Sequence, residues 1–575
     1  MRGGAEFFTQ PVSAAQRRYE ALRAYFVDEA SAVQVADRFG YSTASVHQMA
    51  SLLRSGRMEF FADTKPGPKG PRKAGRVRDR VLALRAEDRS VTEIAAVLAG
   101  EGTPVSAQTV WTILEAEGIG RLVRDEDGRR GTPTRLDPIK AQSLPSWPVE
   151  THLPCDHAGL LLLLPGMVGL DLPELVRAAG YPGTRVLSAW QSIGTLLLAK
   201  CARNARVHHI DALTDDTGLA LALGLTALPK ATHLGSYSYR VRRDSNQALL
   251  AGLVTALRGQ GLATGAAGFN CDFHAIRHHG DPDLGAPLEK HYVPKRSQRT
   301  RAVLTFFAQD HASSEMVYAN ADITKAEQAR EIIAFADYWH ATTGAEPGLL
   351  VFDSQLTNYD VLNELTERGL TWLTLRKRGQ SILDKLAALP ASAWTTHRID
   401  RAGRYRKPEM HEDLVSIKGI TNQVRQVAVR NIGRDEPTLM LTNALTPAKD
   451  LFTRYAERMI IENELDAYIG GFHLDALTSG VPLNVDLDTT LTVVAGNLYR
   501  MLARQLSRYE TATPERIWRH FLDTPGTLHI TNDAVTVDLN LRTYHPALID
   551  AGFADLDLPI PWLDNRRLRF RFPPR

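Results

Sequence analysis

The stretch that most constrains the fold runs from residue 267 to residue 375, where short apolar patterns follow one another in a fixed order. Ala267–Ile276, Ala302–Ala308 (A-V-L-T-F-F-A) and Glu315–Asn320 read as strands joined by short connections. Lys325–His340 has helical spacing, and Leu349–Asp353 (L-L-V-F-D) follows it as a strand rich in branched residues, buried on both faces. A helix over Tyr359–Arg368 and a strand over Thr371–Leu375 complete the run. Asp353 ends its strand abruptly, at the carboxyl end where active-site acids of α/β sheets sit. Such an acid needs a partner, because an isolated buried charge costs too much to keep.

Three strands, then helix, strand, helix, strand, is the ribonuclease-H-like order. In that arrangement the first and fourth strands are neighbours, which sets Asp272 beside Asp353. Residues 380–448 read as short alternating strands, for instance Gln423–Arg430 and Thr438–Asn443, and form a β insertion. The helix predicted next, Lys449–Ile469, carries Y-A-E-R-M-I-I-E. At roughly 100° per residue, Tyr455, Arg458, Glu462 and Leu465 share a face with Phe452 and Met459, and that face is expected to pack on the sheet. Glu462 then points inward. Glu464, roughly 200° around the axis, is expected to face solvent or DNA, and Asp466 lies a turn too far along. Two inward aspartates and an inward glutamate repel one another unless a cation neutralises them. Oxygen donors without Cys or His favour Mg²⁺, or Mn²⁺ as its substitute, over zinc.

Upstream, Ser31 and Ser42 are placed to cap two short helices separated by Gly40. In the second of these, Val46, Met49, Ala50 and Leu53 face inward and leave Thr43, His47 and Gln48 outside. A short helix, a glycine turn and a polar-faced second helix make the helix-turn-helix pattern; an ordinary helical hairpin is the alternative. Lys65–Arg76 (K-P-G-P-K-G-P-R-K-A-G-R) is expected to be an extended, AT-hook-like arm. Its Lys65, Lys69, Arg72, Lys73 and Arg76 would lie along phosphates, the alternative being a solvated linker. A second helix-turn-helix candidate follows, with Ser106 as cap and Gln108 and Thr109 facing base edges. From Arg54 to Arg85 ten Lys/Arg stand against three acids, although the whole chain carries only +3. That local excess points to a polyanion partner.

The expected organisation is a multidomain α + α/β chain. Residues 1–60 and 77–123 form the tandem modules around the arm at 61–76, and 124–155 a linker. A helical region covers 156–262. The core's first part covers 263–379, its Glu helix and following helix 449–512, and an α+β region 513–575. Cys155, Cys201 and Cys271 are scattered, odd in number and include no CxxC pair, so neither a disulfide framework nor a structural zinc is suggested, and a reducing cytosol fits. Leu160–Leu164 stops at Pro165, far short of a membrane span. His208, His209, Asp211, Asp215 and Asp216 read as helix-end and loop polarity. His274, near Asp272, reads as a structural polar residue or as one touching DNA or a neighbouring carboxylate.

The acidic motifs resemble the DDE transposases of bacterial insertion sequences, in the group with a Y-x2-R-x3-E signature. That signature stands here as Tyr455, Arg458 and Glu462; G-F-N-C-D-F-H-A-I surrounds Asp272 and V-F-D-S-Q-L-T surrounds Asp353. The resemblance covers about Asp211 to the C-terminus. The Lys that often follows the Glu by seven positions is Ile469 here. The resemblance implies two Mg²⁺ ions about 3.5–4 Å apart on Asp272, Asp353 and Glu462. It implies in-line displacement at a phosphodiester without a nucleotide cofactor, on double-stranded DNA carrying terminal inverted repeats. Arg458 and Tyr455 would hold phosphates near the cut. Arg376, Lys377 and Arg378 would contact flanking backbone, or else form a solvated charge run. Synapsis of two ends implies a homodimer, acting at the nucleoid. A DNA-binding regulator derived from a transposase and a ribonuclease-H-like nuclease are the competing readings.

Overall fold

The computed structural model describes residues 14–55, 72–86, 89–116, 141–144, 146–148, 150–278, 289–293, 298–354, 356–399, 407–476 and 482–573. The chain is mixed α/β and divides into two compact units, Met1–Pro71 and Arg72–Arg575. No single helix among the described residues is long and apolar enough to cross a membrane.

In the first unit, helices α1 (Ala14–Phe26), α2 (Ala32–Phe39) and α3 (Thr43–Arg54) close on one small core. Ser31 starts α2 with a reciprocal capping box to Gln34, Gly40 ends it in a left-handed turn, and Ser42 caps α3. Val46, Met49 and Ala50 face inward, while Thr43, His47 and Gln48 are exposed. On α1 the inward residues are Ala21, Leu22 and Ala24, with Tyr25 packed against them, while Tyr19 and Phe26 are exposed. Small residues let α1 approach its neighbours closely, so the bulky rings are left at the rim.

The second unit opens with α4 (Arg72–Ala86), α5 (Val91–Gly100) and α6 (Ala107–Ala116), packed around Val81, Leu84, Ile94, Leu98, Val110 and Leu114. Arg72, Lys73 and Arg76 therefore begin a helix and do not continue an extended arm. Past Pro71 the sequence carries no further proline before Pro104, and proline is favoured at a helix start. Lys65 and Lys69 lie outside the described residues. Gln108 is exposed, and the Thr109 side chain is drawn to the Ser106 cap, at 2.9 Å.

Beyond these, helices α7 (Ala189–Cys201), α8 (Ala231–Ser238) and α9 (Arg243–Gly259) share one continuous apolar core with the two sheets. Asp216 caps the short helix Thr217–Leu221, in keeping with its reading as helix-end polarity. The larger sheet has ten described strands: β2 (Phe269–Arg277), β3 (Lys290–Val293), β4 (Gln298–Asp310), β5 (Met316–Asn320), β6 (Leu350–Phe352), β7 (Trp372–Leu375), β8 (Thr395–Thr396), β9 (Glu409–Val415), β10 (Val424–Arg430) and β11 (Thr438–Thr442). Its spatial order is β5-β4-β2-β6-β7-β11-β10-β9-β8, with β3 paired to the first residues of β4. β2, β4 and β5 are antiparallel, whereas β2, β6 and β7 run parallel. The inserted strands do not form a separate body; β11 pairs with β7 and carries the sheet onward.

Side chains alternate along β2. Phe269 meets Phe335 and Trp339 of α10 (Glu331–Thr343) on one face, at ring distances of 5.0 and 4.5 Å. Asn270, Asp272 and His274 point to the other. Gly268, at φ +83°, enters β2 where a Cβ would stand 2.1 Å from the Leu349 carbonyl, so the two parallel strands start in close contact. Helix α11 (Tyr359–Glu367) returns the chain from β6 to β7.

After β11 come α12 (Ala448–Glu457), α13 (Met459–Phe472) and the long α14 (Pro482–Gln505). The helix expected over Lys449–Ile469 is thus two helices, broken at Arg458. There Arg458 N bonds Tyr455 O and Ile461 N bonds Arg458 O, a tightened 3₁₀-type turn. The second sheet joins β1 (Thr151–Cys155), at the end of the expected linker, to β12 (Gly526–Ile530), β13 (Ala534–Leu539), β15 (Arg566–Arg571) and β14 (Leu558–Ile560), in that order.

Candidate active site

The register of the parallel pair sets the first two acids. Cys271 is opposite Phe352, so Asp272 and Asp353 each stand one step further along adjacent strands, on the same side of the sheet. The Asp353 carbonyl accepts from Thr374 Oγ1 at 3.1 Å and from Thr357 Oγ1 at 3.4 Å, which fixes the end of β6. Helices α12 and α13 cross this face. Arg454 donates to Asn270 Oδ1 at 2.6 Å, Arg458 Nη1 lies 3.1 Å from Asp272 Oδ2, and His274 meets Asp475 at 2.5 Å. Alternate residues of one strand are thus paired in turn with α12, with the break, and with the segment that follows α13.

Asp272, Asp353, Glu462, Arg458 and Tyr455 form one electrostatic cluster. Arg458 pairs with Asp272 and also with Glu462, four residues on. Burial pushes the Asp272 carboxyl up to about 6; Arg458 opposes this, and the charges of Asp353 and Glu462 add to it. Burial also works against the Arg458 charge, but the carboxylates around it, Asp272 foremost, hold its pKa above the ordinary value. Burial raises the Tyr455 hydroxyl to about 12.

The Arg458 guanidinium lies between Asp272 and Glu462, where a neutralising cation was expected. Among the described residues no group of three or more His, Cys, Asp or Glu is arranged to hold a metal ion. The donor types fit a hard divalent cation; the side-chain positions suit a guanidinium. Two further residues differ from expectation. Met459 is 54% exposed, because the turn at Arg458 rotates α13 relative to α12. Glu464, expected to face solvent or DNA, is largely covered and pairs with Arg500 of α14.

Of the flanking basic residues, Arg376 donates to Gln426 on β10 at 2.5 Å and Arg378 pairs at 3.1 Å with Glu436, between β10 and β11, so both are held by the inserted segment. Lys377 is exposed. Arg454 was missed, although it lies four residues before Arg458 and shares its stripe. Burial pushes its pKa down to about 10, and its Nε and Nη2 have no hydrogen-bond partner among the described residues.

No protein-family model matches the chain, and a search of curated proteins finds no match either.

The Asp272 shift has a measurable consequence. An acid whose pKa rises on folding holds its proton more tightly in the folded state, so stability is lost as pH climbs from the unfolded pKa through the folded one. Between pH 4.5 and 7.5, in chelator, wild type should lose about 2 kcal/mol relative to Asp272→Asn. Denaturant titrations of both proteins across that range measure this, and parallel curves would refute it.

Proposed function

We propose that the chain is an insertion-sequence transposase that binds the terminal inverted repeats of its element and cuts and joins DNA strands. The observation that carries this reading is the register placing Asp272 and Asp353 side by side, with Glu462 in the same charged cluster. The strand order β5-β4-β2-β6-β7, antiparallel then parallel, supports a ribonuclease-H-like core. The capped, polar-faced α3 and the exposed Gln108 on α6 support two helix-turn-helix modules, in which Thr43, His47 and Gln48 reach base edges.

Asp272, Asp353 and Glu462 would hold Mg²⁺, or Mn²⁺ in its place, which when bound supplies an activated hydroxyl and stabilises the leaving 3′-oxygen. Each acid must be ionised to do so. Arg458 must then release Asp272 and Glu462, and its two-point donor geometry suits the phosphate beside the cut. Half-buried Tyr455, kept protonated, would be a hydrogen-bond donor at that phosphate. Lys377 would lie along flanking backbone. A homodimer on two element ends follows from the need to join both.

One observation favours the alternative of a DNA-binding regulator built on a transposase: Arg458 pairs with both Asp272 and Glu462. Incubating the purified protein with Mg²⁺ and DNA carrying its element's ends separates the readings. Nicking or strand transfer supports the transposase, whereas tight binding without cleavage in Mg²⁺ or Mn²⁺ supports the regulator.

A further inference from the structure

Helix α13 carries Glu462 on one face and Glu464 roughly 200° away on another. Glu464 is nearly buried and pairs with Arg500 of α14. Arg500 also approaches Glu315, at 3.9 Å. Glu315 lies just before β5, has no exposed side-chain surface, and is gripped by both terminal nitrogens of Arg504. This is a closed network of two acids and two arginines, joining α13 to α14 and to the sheet.

The far end of α13 is also fixed. Arg203, just past α7, donates to the carbonyls of Gly471 at 3.0 Å and Gly470 at 2.8 Å. Lys200 of α7 donates to the carbonyl of Phe472 at 3.3 Å and pairs with Asp488 at 2.7 Å. Cations at a helix C-terminus satisfy its open carbonyls and its dipole. Gly496 lets α14 lie against α13, since a Cβ there would stand 2.0 Å from the Tyr468 hydroxyl oxygen.

We propose that Arg500 is a positioning residue for Glu462. Through Glu464, and braced by Glu315 and Arg504, it sets the rotation of α13, while Lys200 and Arg203 fix its position along the axis. A free helix could turn Glu462 away from Asp272; this one is held on its opposite side. The catalytic part of this inference rests on the transposase reading, whereas the positioning part does not.

The test uses the full-length protein as wild type, Arg500→Met, Arg500→Lys and Glu464→Gln. Three quantities are read: Mn²⁺ affinity, single-turnover cleavage of element-end DNA, and amide exchange over residues 459–472. Arg500→Met should weaken Mn²⁺ binding and slow cleavage at saturating metal by about tenfold to a hundredfold, with DNA affinity unchanged. Exchange over 459–472 should rise while β2 stays protected. Arg500→Lys, which keeps the charge, should recover most of the cleavage. If Arg500→Met does not fold, Glu464→Gln is read in its place, with the same direction and a smaller effect. Unchanged exchange in the folded variants overturns the inference whether or not the wild type cleaves DNA. Cleavage equal to wild type, or Arg500→Lys no better than Arg500→Met, also overturns it. A wild type that neither cleaves nor binds Mn²⁺, beside a loosened α13 in the variant, defeats the transposase reading and leaves the positioning role standing.

Discussion

Asp353→Asn is expected to reduce strand cleavage on the order of a thousandfold while leaving DNA affinity and folding intact. The substitution keeps the shape of the side chain and removes its charge. The backbone that fixes the end of β6 is untouched, because Thr357 and Thr374 bond the carbonyl of residue 353 and not its side chain. The affected quantity is the negative charge available to a divalent ion beside Asp272. A Lewis acid contributes several kcal/mol of transition-state stabilisation, and each 1.36 kcal/mol is a factor of ten in rate. Cleavage of end-bearing DNA, with binding measured on the same duplex, separates chemistry from recognition. Equal cleavage by wild type and variant would remove Asp353 from the chemistry and the transposase reading with it.

Arg458→Met is expected to destabilise the metal-free protein by about 3 kcal/mol at pH 7.5. Methionine fills much of the volume, so the loss is electrostatic: Asp272, with 13% of its side chain exposed, is left charged without its partner. At pH 5 the loss should shrink, because a carboxyl with a pKa of about 6 is then mostly protonated and needs no counter-charge. Divalent metal should restore what the guanidinium supplied, so Mn²⁺ should raise the melting temperature of the variant more than that of wild type. The pairing has a reciprocal side. On the proposed reading, a metal ion that took Asp272 and Glu462 would free Arg458 for phosphate, and a phosphate that took Arg458 would free the acids for metal. By linkage each should strengthen the other's binding by the same factor. A variant as stable as wild type in chelator, and indifferent to Mn²⁺, would show that Arg458 does not stand in for a cation.

The strand order around Asp272 and Asp353 could be read from sequence because buried parallel strands leave dense apolar runs with sharp ends, as in Leu349–Phe352. Both helix caps at Ser31 and Ser42 were legible for a similar reason: their chemistry is local. The break at Arg458 was not, since Y-A-E-R-M-I-I-E contains no proline or glycine to mark it. The partners of that arginine lie four residues on and nearly two hundred residues back, and helical periodicity sets it on the sheet-facing side without naming them. Glu464 was misplaced for the same reason. Its partner Arg500 sits on another helix, and nothing in the spacing of α13 announces it. Arg72, Lys73 and Arg76 went wrong because composition was carried past Pro71, where the proline spacing had already ended.

The pairing of Thr151–Cys155 with Gly526–Ile530 has a consequence for synthesis on the ribosome. Strand β1 lies at the edge of its sheet, and the other strands of that sheet all come from the last fifty residues of the chain. Nascent polypeptide therefore waits through more than three hundred codons before that sheet can form. A message cut short before codon 526 would leave Thr151–Cys155 without the strand it pairs with, and the core beneath that sheet open.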